Sequence, residues 1–333
     1  TGYTFVGWTT NADGSGDSYR DGQEVSNLIT EGNIVLYAKW QGNTYTITLN
    51  DEGGTGGSGS ILAAYGNDLP DVEIPVRTGY EFKGYYDGQN GTGNRYYSAD
   101  GKGIGTWNKA NDTTLYACWL PKSFTLTFHA AGGTVTPQSK AVTFGETYGD
   151  LPLATRSGYT FAGWFTAAEG GTGVDSNTIV TIAEDQDIYA HWTANTYTVV
   201  FHGNGAEAGT MENQSFTYDE EEKALTANSF TRTGYTFAGW ATSPTSTKAY
   251  DDGALVSNLT TVKDGQYNLY AVWKANTYTV RFNGNTNTGG SMSDQSFTYG
   301  TSKALNANAF VKTGYTFEGW ATSPDGEVVY SNS

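Results

Sequence analysis

Gly158-Tyr-Thr-Phe-Ala-Gly-Trp164 decides the reading of this chain, because the sequence writes it, with small changes, five times. The copies begin at Gly2, Gly79, Gly158, Gly234 and Gly314, at intervals of 77, 79, 76 and 80 residues, and Tyr85 replaces Trp in the second. Repetition at that interval describes an array of small units, so chemistry confined to one place is not expected.

Three further signals recur in the same order. Downstream of each complete motif comes Leu or Ile, Tyr, Ala, any residue, Trp: Leu36 to Trp40, Leu115 to Trp119, Ile188 to Trp192 and Leu269 to Trp273. An alternating stretch follows, at Tyr45 to Leu49, Phe124 to Phe128, Tyr197 to Phe201 and Tyr278 to Phe282. The last signal is an aromatic-Gly or aromatic-Asp turn: Tyr65-Gly66, Phe144-Gly145, Tyr218-Asp219 and Tyr299-Gly300.

Short polar joints after each Leu-Tyr-Ala-x-Trp, Gln41-Gly42-Asn43, Leu120-Pro121-Lys122, Thr193-Ala194-Asn195 and Lys274-Ala275-Asn276, set the phase of the repeat. On that phase residues 1–43 are the closing half of a unit. Residues 44–122, 123–195 and 196–276 are complete units, and 277–333 are an opening part lacking its last strand.

Alternation of aromatic or β-branched residues with Thr reads as half-buried strand. The heptapeptide reads as a strand with Phe and Trp on one face, opposed to Tyr, the variable residue and Gly. One short helix per unit is expected at Lys223-Ala-Leu-Thr-Ala-Asn228 and Lys303-Ala-Leu-Asn-Ala-Asn308, with Asp219 to Glu222 near a helix start. A unit of this size buries only about 60% of its unfolded surface. Eight of the nine tryptophans lie in the two aromatic motifs and are expected to supply the core: Trp8, Trp164, Trp240, Trp320, and Trp40, Trp119, Trp192, Trp273.

Gly-Tyr-Thr-Phe-x-Gly-Trp, Val-Ser-Asn-Leu (Val25 to Leu28, Val256 to Leu259) and Leu-Tyr-Ala-x-Trp followed by Asn-Thr-Tyr-Thr together resemble the Listeria-Bacteroides repeat, the family of the internalin B B-repeat. The resemblance covers essentially the entire chain. It implies a mainly β or α+β fold: β-grasp-like, ubiquitin-related units in tandem, forming an elongated rod on bacterial surface or secreted proteins.

Charge and composition narrow the partners. A formal net charge of -16, with 34 acidic and 18 basic residues, disfavours nucleic acid and anionic lipid. No apolar run of membrane-spanning length occurs, and targeting signals are expected outside this segment. The single Cys118 permits no disulfide within the chain.

No catalytic, cofactor-binding or metal-binding residue is assigned. Of three histidines, His129 and His202 occupy matching positions where other units carry Asn50 and Asn283, so no zinc-type cluster repeats. Asp13, Ser15, Asp17 and Glu24 match calcium-loop positions, but Ser18 stands where Gly is needed, and a plain turn is the better reading. Nucleophile elbows and phosphate loops are missing, and Lys39 and Lys83 do not recur as a crosslinking Lys would. The chain is therefore read as a non-enzymatic, extracellular bacterial stalk. The alternative is a multivalent adhesin for a glycan or host surface protein, with Tyr96, Tyr97, Asn108 and Asn111 exposed in loops. Head-to-tail pairing of the incomplete ends of separate copies into a filament is a further possibility.

Overall fold

A computed structural model describes residues 1–332. Contacts within it group into two units, Thr1–Ala154 with Gly163–His191, and Thr155–Ala162 with the chain from Trp192 onward. Each is a series of small β-sheets.

In the first unit the second copy of the motif shows the arrangement best. Its sheet runs in the order Ser60–Ala64, Thr44–Asn50, Thr113–Pro121, Tyr80–Tyr86, Arg95–Tyr97. The first two strands form an antiparallel hairpin, and Thr44–Asn50 pairs parallel with Thr113–Pro121 from Ile47↔Thr113 to Asn50↔Tyr116. Alternation does the sorting: Ile47 and Leu49 are buried, whereas Thr44, Asn50 and the Thr between those two face outward or lie at the margin. The first copy contributes Ser18–Tyr19, Tyr3–Thr9 and Tyr37–Gly42. The third repeats the hairpin, Ser139–Thr143 on Ser123–His129, and the parallel seam from Leu126↔Gln186 to His129↔Tyr189.

In the second unit, Gln214–Thr217, Thr196–His202, Gly265–Ala275 and Tyr235–Ala241 repeat the same order. A small ribbon, Lys223–Ala224 with Leu255–Val256, and a hairpin, Thr277–Val280 with Gln295–Thr298, complete it.

The expected helices are absent. The only helical turn among the described residues is a 3-10 turn at Gln89–Gly91. At Lys223–Ala224 the backbone pairs with Leu255–Val256, Leu225 donates its amide to the carbonyl of Ala254 and buries its side chain, and Thr226 donates its amide to Gln214. A six-residue segment is too short to nucleate a helix alone, so sheet and side-chain partners decided its state. The corresponding stretch around Lys303 carries no regular structure.

Phe and the aromatic three residues later do share the core face, for a reason that alternation alone does not supply. Strict alternation sets residues three apart on opposite faces. A bulge shifts the register between Phe5 and Gly7, Phe82 and Gly84, and Phe237 and Gly239. It brings Phe82 and Tyr85 together at 5.1 Å between ring centroids, and Phe237 and Trp240 at 4.9 Å. The bulge glycine adopts φ 122° at Gly84 and 134° at Gly239, a region that side chains rarely enter.

Tryptophan burial follows both motif and copy. In the first motif Trp164 and Trp240 are buried, as is Tyr85 in the same position, whereas Trp8 and Trp320 are half-buried. The second-motif tryptophans Trp119, Trp192 and Trp273 are half-buried, and Trp40 is 59% exposed. Trp119 and Trp273 close the edge of their cores by donating Nε1–H to the carbonyls of Asp51 (2.8 Å) and Gly203 (3.0 Å). The ninth indole, Trp107, is fully buried with Tyr96 and Tyr97 in the core of the second copy. Trp107 packs on Tyr96 at 5.4 Å and Tyr97 packs edge-on against Tyr85 at 6.1 Å between centroids, so the insertion adds three large side chains to this core.

Candidate functional site: the joint between copies

The constellation that recurs most completely lies where one copy meets the next. The expected three-residue joints shrink to one residue, since strand follows strand across Asn43, Lys122, Asn195 and Asn276. Each of these four residues is held on both sides. Its amide donates to the carbonyl of the motif glycine behind it: Gly2, Gly79, Gly158 and Gly234, at 2.8, 2.8, 2.9 and 2.8 Å. Its carbonyl accepts from the amide of the aromatic turn ahead: Tyr65, Phe144, Tyr218 and Tyr299, at 2.9, 3.0, 2.8 and 2.8 Å.

Rings close over this backbone clasp. The motif tyrosine packs edge-on against the aromatic of the following turn: Tyr3 on Tyr65, Tyr80 on Phe144, Tyr159 on Tyr218 and Tyr235 on Tyr299, with centroids 5.2 to 5.8 Å apart. A cation three residues earlier covers the ring, Arg77, Arg156 and Arg232 lying 4.0, 3.8 and 4.1 Å from the centroids of Tyr80, Tyr159 and Tyr235. The motif glycine is needed because the following aromatic sits on it. A Cβ at Gly79, Gly158 or Gly234 would stand 2.2 to 2.3 Å from ring atoms of Phe144, Tyr218 or Tyr299.

Side chains add local ties. Thr4, Thr160 and Thr236 donate to the amide oxygens of Asn43, Asn195 and Asn276 at 2.5, 2.7 and 2.6 Å, and Asn195 also donates to the carbonyl of Thr261. The second joint has Glu81 and Lys122 at the Thr and Asn positions. At the third, Asp219 replaces Gly, accepts from the Tyr159 hydroxyl at 2.7 Å and is braced by Asn258 of Val-Ser-Asn-Leu. That bond pushes the Tyr159 hydroxyl above the ordinary tyrosine range.

Magnitudes favour a locked joint. An edge-on aromatic pair contributes about 0.5–1.5 kcal/mol, an exposed cation–π contact about 0.5–1, and each net hydrogen bond about 0.5–1.5. Fixing the single linking residue costs only about 1–2 kcal/mol of backbone entropy.

The residues proposed from sequence for ligand contact behave differently. Tyr96 and Tyr97 are 5% and 0% exposed, so they are core residues and not a loop platform. Asn108 and Asn111 are exposed as expected; Asn108 accepts from the Tyr96 hydroxyl, and Asn111 donates to the carbonyl of Asp112. The Asp13 carboxylate is engaged by the amide and hydroxyl of Ser15, which hold it below the usual carboxylate range. His129 and His202 stack on Tyr189 and Tyr270 and bond Asp187 and Asn268. Among the described residues no three His, Cys, Asp or Glu side chains are grouped as metal ligands. No helix among them is long and apolar enough to cross a membrane.

The joint was missed in the sequence, where the motif tyrosine counted only as part of a strand. Its signal is the cation placed three residues before each of four motif tyrosines: Arg77, Arg156, Arg232 and Lys312.

Small β-sheet units linked through one repeated joint define a tandem-repeat protein. The family profile of the Listeria-Bacteroides repeat domain matches residues 1–39, 45–118, 124–191, 197–272 and 278–333, and the chain belongs to that family. A Gly-rich membrane protein of Evansella cellulosilytica, so named putatively, is 29% identical over 321 residues, covering 96% of this chain and 34% of its own length. A second putative membrane protein of that organism is 32% identical over 215 residues, covering 64% and 31%. Internalin H of Listeria monocytogenes is 32% identical over 136 residues, covering 41% and 23%. The chain thus spans about a third or less of the relatives it matches. Relationship to membrane and internalin-type proteins makes it a repeat segment of the surface-protein kind.

Proposed function

We propose that the chain is an extracellular stalk or spacer of a large bacterial surface protein, holding a distal domain away from the cell, with no enzymatic step of its own. The observation carrying this reading is the joint: the same backbone clasp and aromatic pair occur at each of four boundaries. A ligand site has no reason to recur there, whereas a spacer needs every boundary to resist bending. We read each unit as a β-grasp-like sheet whose crossover is loop instead of helix. The adhesive alternative keeps the exposed Asn108 and Asn111 but loses the exposure of Tyr96 and Tyr97, and no observation favours head-to-tail filaments over a spacer.

Small-angle scattering of the chain tests the proposal. With units roughly 30 Å across by the scaling of compact domains, the largest dimension is expected to exceed about 100 Å. A compact particle of about half that dimension would remove the spacer reading.

A further inference from the structure

Each complete copy receives the chain on one strand and releases it on the strand paired directly beside it. In the second copy the entering strand Thr44–Asn50 and the leaving strand Thr113–Pro121 are parallel neighbours over four residue pairs. The third copy has the same seam over four pairs, and the fourth over six, from Tyr197↔Gly265 to His202↔Tyr270.

Tension along the backbone therefore pulls the two seam strands in opposite directions along their own length. Ladder bonds lie across the strands, so this load acts on all of them together. An antiparallel hairpin pulled from its adjacent ends is different, because its bonds break one at a time. The seam is also pinned at both ends. At its start the amides of Thr46 and Thr125 donate to Asp112 and Asp185 at 2.7 Å, and in the fourth copy Asp264 donates its amide to the carbonyl of Thr196 at 2.7 Å. At its far end the indoles of Trp119 and Trp273 reach back to the carbonyls of Asp51 and Gly203.

We infer that the parallel seam is a force-bearing clamp, so that each complete copy resists extension far better along the native chain direction than along its own hairpin. The clamp depends on the spacer reading for its use, because load reaches the seam only where the chain carries tension. It assigns a role to Asp112, Asp185 and Asp264, which hold the start of the seam.

Single-molecule stretching of the whole chain in a Cys118→Ser background tests this. Held at its two ends, the chain is expected to open in three force peaks, each releasing on the order of 250 Å at about 3.5 Å per extended residue. Forced opening is governed by the unfolding barrier along the pulling direction. The decisive comparison moves one handle to a Glu221→Cys substitution, in the exposed segment just after strand Gln214–Thr217. That geometry peels Thr196–His202 from Gln214–Thr217 and leaves the sequence of the seam intact. The opening force of the fourth copy is expected to fall severalfold while those of the second and third stay unchanged. An opening force for the fourth copy that is the same in both geometries would overturn the clamp and leave the spacer standing. A compact particle by scattering would do the reverse.

Discussion

Gly84→Ala is expected to destabilise the second copy by about 3 kcal/mol, since a side chain must be forced into a glycine-only backbone conformation. At φ 122° the added Cβ would also stand 2.1 Å from the carbonyl oxygen of Tyr97. That oxygen belongs to the neighbouring strand, so relief requires moving backbone. The bulge would flatten, and Phe82 and Tyr85 would no longer meet on one face. Gly59→Ala is the matched control, because open space surrounds that position. Calorimetry should resolve a transition moved to lower temperature in the first variant and an unmoved profile in the second. Equal, small shifts in both would show that the bulge does not set the core.

Trp240→Ala should have the larger consequence, about 3–5 kcal/mol. Trp240 is fully buried and touches Phe201 and Phe237 at 4.9 Å and Phe230 at 6.3 Å between centroids. A sheet of this size has little stability in reserve, so the fourth copy is expected to unfold while the second and third keep their transitions. Trp40→Ala, at a position that is 59% exposed, should shift stability by no more than about 0.5 kcal/mol. The contrast is informative because both indoles sit in recurring motifs. Amide exchange assigned to each copy would separate the outcomes, and a fully folded fourth copy in the Trp240 variant would refute the single-core account of that sheet.

Much of a unit was legible because its strands advertise themselves by alternation. Ile47 and Leu49 bury as the pattern requires, and Tyr85 replaces Trp without losing its place in the core. What escaped the sequence was decided between segments distant along the chain. Lys223 to Asn228 has respectable helix formers, yet a strand partner at Leu255–Val256 and the Gln214 side chain claim its backbone. Tyr96 and Tyr97 look like loop residues in a Gly-rich, polar stretch, yet strand pairing of Tyr97 with Tyr85 and packing of Tyr96 on Trp107 place all three in the core.

The joint was invisible for a related reason. Gly-Tyr has the composition of a strand entry, and nothing local says that the glycine must be bare to carry a ring from the next copy. Read with its preceding Arg and the downstream aromatic turn, the same dipeptide describes a contact surface. The motif that reveals the array therefore serves two purposes, with Phe and Trp turned to the core of their own copy and Gly and Tyr turned to the neighbour.

Residue-resolved hydrogen exchange at the four linking positions tests the locked joint most directly. Asn43, Lys122, Asn195 and Asn276 are expected to keep their amide protons as long as the flanking strands do, even though Asn276 is exposed to solvent. Exchange at the pace of an open loop at these positions would contradict the account, because a spacer hinged at every boundary could not hold anything at a distance.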